Sequence, residues 1–158
     1  MAAKWAKIDD VEERLANTTS ARGYTGDDIE SRLLRAEKEV RAKLQSYIAP
    51  ATLEIWTDTT VPEIVRSWVA DLAAAFVLSD YYGEGLLDKT THAGSLYGKV
   101  QKDLEDVRKG MLEVVTKAGE TVSPATDVIK SDKASRTPTF TMTHPSDSDF
   151  GDGSLDEF

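Results

Sequence analysis

Apolar residues recur at steps of three and four along three long stretches of this chain, and switch to strict alternation only near its far end. After Ile29 come Leu33, Ala36, Val40, Leu44 and Tyr47, at steps of four, three, four, four and three. That spacing keeps them on one face of a helix with 3.6 residues per turn. The intervening Glu30, Arg32, Arg35, Glu37, Lys38, Glu39, Arg41 and Lys43 make a solvated face of mixed charge. Thr25 or Asp27 is placed to cap the start of this helix. Pro50 ends it, because a proline disfavours helical geometry in the residue before it.

A second stretch carries Ile64, Val65, Trp68, Val69, Leu72, Ala73, Phe76 and Val77, a broader and more aromatic face. Thr60 and Glu63 stand at capping-box spacing before it, with Pro62 near the first turn. It reads as the central, most buried helix, with Trp68 and Phe76 in the core, and it stops at Tyr82-Gly83-Glu84-Gly85. A third helix is expected from Ser95, with Leu96, Val100, Leu104, Val107, Met111, Val114 and Val115 on its stripe, ending at Gly119. A short leader opens at Asp9 or Asp10 and turns Val11 and Leu15 to one side. Residues 50–60 read as a connector holding Leu53, Ile55 and Trp56. The pattern predicts an all-α fold for residues 1–120: a small bundle of three long amphipathic helices plus a short N-terminal helix.

Residues 121–158 read differently, as an extended C-terminal arm. From Ser131 onward the chain is rich in Ser and Thr and poor in apolar residues, too poor to offset its own ordering entropy. Within it, Thr137, Thr139, Thr141 and Thr143 alternate with Pro138, Phe140, Met142 and His144. A period of two is a strand pattern, and Pro138 restricts that strand to a sheet edge or to a partner. Phe140 and Met142 have no core of their own nearby, so partner contact by strand addition is expected of them.

Charge refines this division. The chain of 158 residues has 28 acids, 19 bases, two histidines and no cysteine, for a net charge of −9. Residues 1–130 hold 22 acids and 17 bases, a net −5, while residues 131–158 hold six and two, a net −4. Such a balance argues against ordinary DNA binding, which depends on Lys and Arg meeting phosphates. Lack of cysteine removes disulfides, thiolate nucleophiles and thiolate metal sites. The start of the chain holds no apolar run of signal-peptide length. The most apolar stretch, Trp68 to Leu78, is interrupted by Asp71 and is far shorter than the roughly 20 residues of a membrane span. A soluble protein made in the cytoplasm is expected.

Candidate chemistry adds little. Asp9, Asp10, Glu12 and Glu13, like Asp27 and Asp28, stand where acids complement the positive end of a helix dipole. The run from Asp147 to Phe158 fails as an EF-hand, since Gly151 and Asp152 fall in reversed order and Phe158 stands where the bidentate Glu belongs. His92 has no Ser or acid at a catalytic spacing, His144 lies in the arm, and Gly83-Glu84-Gly85 lacks phosphate-loop spacing. No enzyme, cofactor or metal site is expected. The aromatics Trp5 and Trp56 fall outside regular helices, where two readings apply: contact with a partner, or packing on the chain's own core. Together with Arg136, Phe140, Met142 and Phe158 of the arm, they are the candidate interface residues.

The order of elements resembles one family. A leader at Ile8-Asp9-Asp10-Val11 precedes a helix of the form Ile29-x3-Leu33-x2-Ala36-x3-Val40-x6-Tyr47. An aromatic connector follows, then Val61-Pro62-Glu63-Ile64-Val65 opening an alanine-rich helix, Val69-Ala-Asp-Leu-Ala-Ala-Ala-Phe76, that ends in Tyr81-Tyr82. A final amphipathic helix and an Arg136-containing arm complete a likeness spanning residues 8–118, with the arm alike only in type. The pattern is similar to that of the head–tail connector (adaptor, or head-completion) proteins of tailed viruses. The resemblance implies a structural virion protein at the neck between capsid and tail. It would be one subunit of a homo-oligomeric ring, usually a dodecamer, between the portal protein and a downstream neck or tail protein. DNA would pass through without specific binding. Two other classes fit a helical chain of this kind: another assembly protein, such as a tail terminator or small packaging subunit, and a small helical regulator that binds one partner.

Overall fold

A computed structural model describes residues 3–15 and 23–122. Among the described residues five helices follow one another: α1 (Ile8–Leu15), α2 (Gly26–Leu44), α3 (Pro50–Glu54), α4 (Glu63–Tyr82) and α5 (His92–Arg108). The expected small all-α bundle is what the described residues form, and the strand expected over residues 137–144 lies outside them. At the middle lies α4, buried without interruption from Trp68 to Leu78, with α1, α2 and α5 packed around it. Side-chain pairs fix the directions. Arg32 meets Asp80 across α2 and α4, and Trp68 meets Asp103 across α4 and α5, so α4 runs antiparallel to both. The same end of the bundle therefore holds the last turns of α2 and α5 and the first turn of α4.

Local signals explain most boundaries. Thr25 caps α2, accepting from the Asp28 amide at 3.4 Å, while the Asp28 carboxylate accepts from the Thr25 amide at 2.8 Å. The regular part of α2 stops at Leu44, whose carbonyl then accepts from both Tyr47 and Ile48. The connector is not wholly irregular, because Pro50 starts the short α3, which buries Leu53. At α4 the expected capping box does not form. The Thr60 hydroxyl accepts from the Thr57 amide at 2.9 Å, so it closes its own turn, and Pro62 precedes the helix with no side-chain cap.

The last helix is shifted from its expected position at both ends. It starts at His92, three residues before Ser95, because Thr91 accepts from the Gly94 amide at 3.0 Å and Glu84 from the Ala93 amide at 2.7 Å. It ends at Arg108, well short of Gly119. Gly110 adopts φ +71°; its amide donates to Val107 and that of Met111 to Asp106, the paired bonds of a Schellman stop. The chain then turns back on itself. Val114 is buried, Val115 and Thr121 form an isolated antiparallel bridge, and the Val122 amide donates to Val114 at 2.8 Å. Thr121 and Val122 are thereby joined to the segment that follows α5. Contacts within the whole chain divide it into Met1–Val128 and Ile129–Phe158, the second of which lies outside the described residues.

Candidate interaction surface

Trp5 and Trp56, expected as interface residues or as core, are core. Trp5 is 0 % exposed and Trp56 4 %, and their rings meet edge to face at 5.5 Å. The Arg41 guanidinium lies 4.7 Å from the Trp5 ring centroid. Glu37, which the periodicity assigns to the solvated face of α2, is buried beneath them. Its carboxylate accepts from the backbone amides of Lys4 at 2.6 Å and Trp5 at 3.2 Å, and from Arg41 at 3.4 Å. This one carboxylate supplies the hydrogen bonds that an irregular segment cannot make for itself. Spacing cannot reveal that, since Glu37 looks like every other charge on its helix.

A seam of charge then joins the leader to the centre. Asp71, 4 % exposed on α4, accepts from Arg14 of α1 at 2.6 Å and from Lys99 of α5 at 3.4 Å. Arg14 also reaches the Asp10 carbonyl and the Ser67 hydroxyl. One turn away, Arg66 donates twice to the Asp10 carboxylate, at 2.9 and 2.7 Å. Burial alone raises the Asp10 carboxyl, but the Arg66 hydrogen bonds, the Lys7 amide and the charges of Arg66 and Arg14 outweigh it and hold it below the usual range. A carboxyl held low stabilises the fold above its unfolded value of 3.8 and loses that stabilisation as pH falls below it. Asp10→Asn is therefore expected to cost about 1–3 kcal/mol at neutral pH. Urea unfolding of both proteins should show this gap closing in acid below about pH 3.8; a gap independent of pH would contradict the assignment.

With the tryptophans buried, other side chains form the apolar surface. Ile55 is 71 % exposed and Met111 67 %, and Val115 is partly exposed. All three lie at the end where α4 begins and α5 finishes. There the Lys117 ammonium donates to the Thr59 carbonyl at 2.9 Å and ties the turned-back segment to the turn before α4. At the opposite end, Leu87 is 88 % exposed in the link between α4 and α5. Tyr81 is also exposed there, its ring edge-on to Tyr24 and its hydroxyl bonded to Asp28. A groove of about 500 Å3 lies between the end of α2 and the second half of α5, toward the end of the bundle where both helices finish. It brings together Lys43, Lys102 and Arg108, a combination that sequence spacing does not reveal.

The other candidates, Arg136, Phe140, Met142 and Phe158, lie outside the described residues. His92 is exposed at the first position of α5. Among the described residues no three His, Cys, Asp or Glu side chains gather as metal ligands would, and no helix is long and apolar enough to cross a membrane. No protein-family model, no curated protein and no solved structure matches this chain.

Proposed function

We propose that this chain is a structural subunit of a ring at the neck of a tailed virus particle, a head-to-tail connector that joins the portal to the next neck or tail component. The observation that carries the reading is the placement of exposed apolar side chains at both ends of the bundle, Ile55 and Met111 at one and Leu87 at the other. A component stacked between two others needs a desolvated contact at each end, whereas a regulator that binds one partner needs one. The order of helices resembling connector proteins supports the same reading. The net charge of −9 suits a subunit beside passing DNA, because acidic walls repel phosphates and leave the duplex free to slide.

The test uses exposed positions whose substitution spares the fold. Ile55→Asp with Met111→Asp, and separately Leu87→Asp, should each leave stability within about 0.5 kcal/mol of the parent. Each should also prevent incorporation into particles in a complementation assay. Removal of residues 131–158, read as an assembly arm, should likewise leave the bundle folded by circular dichroism and block incorporation. Normal incorporation of all three variants would sink the proposal.

A further inference from the structure

The groove between α2 and α5 combines an apolar floor with a basic rim. Its floor includes Leu104, nearly buried, and the half-buried ring of Tyr47. Its rim carries Lys43, Lys102 and Arg108 against a single acid, Glu105. Glu105 is engaged chiefly by Lys109 at 2.8 Å, with the Arg108 charge acting on it more weakly. Lys43 is held by the Gln101 carboxamide, which in turn donates to Glu39 at 2.8 Å. Lys102 and Arg108 make no ion pair or side-chain hydrogen bond among the described residues. A groove with an apolar floor and free cations on its rim, in a chain of net charge −9, is suited to an acidic peptide with interspersed apolar residues.

The chain itself carries such a peptide. From Pro145 to Phe158 the chain carries Asp147, Asp149, Asp152, Asp156 and Glu157 and no Lys or Arg, with Phe150 and Leu155 between the acids and Phe158 after them. We propose that this acidic segment of one copy docks in the α2–α5 groove of a second copy. Its carboxylates would meet Lys102 and Arg108, and its aromatic side chains would lie on Leu104 and Tyr47. Reach is no obstacle. The 25 residues from Val122 to Asp147 span up to about 80 Å when extended, against about 30 Å for the length of α4. A closed ring of identical subunits needs two different, complementary patches on every copy, and the groove and the acidic segment are such a pair. Only the choice of a second copy as donor rests on the ring reading.

The experiment uses full-length chains and follows association by sedimentation velocity over a range of concentrations. The parent should associate weakly and reversibly at low salt, and roughly tenfold less tightly at about 0.5 M salt, where exposed charges are screened within a few ångströms. Groove reversal (Lys102→Glu with Arg108→Glu) and segment reversal (Asp149→Lys, Asp152→Lys and Asp156→Lys) should each abolish self-association while leaving the helical signal unchanged. Mixing the two variants should restore it, since only between unlike chains does each groove then face a segment of opposite charge. No recovery on mixing, or a parent that is monomeric at every concentration and salt, would overturn the inference. The particle assay on Ile55, Met111 and Leu87 does not involve the groove, so failure here and failure of the connector reading are separable.

Discussion

Gly94→Ala is expected to destabilise the bundle by about 3 kcal/mol or more, near the upper end for single substitutions. A Cβ at this position would stand 1.9 Å from the Asp88 carbonyl oxygen, 2.5 Å from its carbon and 2.9 Å from the Gly85 oxygen. All three are backbone atoms, so no rotamer change can relieve the overlap. The loop cannot simply retreat either. The Asp88 carbonyl accepts from the Thr91 amide at 3.1 Å and its hydroxyl at 2.8 Å, and Gly85 accepts from the same hydroxyl at 2.9 Å. Moving the loop away would break the Thr91 cap that starts α5. Gly98, one turn later in the same helix, has nothing within 4 Å of its Cβ position. There alanine removes unfolded-chain entropy without a clash, and Gly98→Ala should stabilise by about 0.5–1 kcal/mol. Urea unfolding of the two variants should therefore give shifts of opposite sign. A Gly94→Ala protein within about 1 kcal/mol of the parent would show that the close approach of α5 to its own loop is not as described.

Trp5→Ala should cost about 3–5 kcal/mol, the range for emptying a large aromatic site in a core. The loss extends beyond the ring. Trp56 loses its edge-on partner, and the Arg41 guanidinium loses the face it covers. At roughly 2–4 °C per kcal/mol for a chain of 158 residues, the thermal midpoint should fall by about 6–20 °C. Trp5→Phe should cost less. Trp5 Nε1 is a buried donor without a hydrogen-bond partner among the described residues, and phenylalanine removes that unpaired group while keeping most of the apolar area. Were Trp5 instead a surface anchor for another subunit, neither change would move the midpoint of the free protein. Thermal unfolding monitored by circular dichroism decides between the two.

Where periodicity controls burial, the fold was legible in the sequence. The stripe from Ile29 to Leu44 and the broad face of α4 are buried as their spacing requires. Boundaries failed where the deciding group comes from elsewhere in the chain. The start of α5 depends on Glu84, nine residues before the amide it caps, and its end depends on the left-handed Gly110. The apolar spacing runs straight through Gly110 to Met111 and Val114, so periodicity alone continues the helix, although a glycine after a basic last turn was the available stop signal. Trp5 was ambiguous because the group that seats it, Glu37, lies 32 residues away. The candidate surface was least legible. Ile55 and Met111 belong to segments read as connector and helix, and only the fold turns both outward at one end. The α2–α5 groove likewise joins residues 43–47 with residues 98–108.

Asp71 also bears on the chain before it folds. From Trp68 to Leu78 it is the sole charge in a stretch otherwise made of Trp, Val, Ala, Leu and Phe, the kind of segment that associates with other unfolded chains when no charge interrupts it. In the folded protein its carboxylate receives Arg14 and Lys99; in the nascent chain it is the charge that interrupts the most apolar segment, the kind of residue that opposes association of such stretches. Replacing it by leucine thus removes two protections at once, and the second is read in refolding yield at high protein concentration, not in the unfolding midpoint.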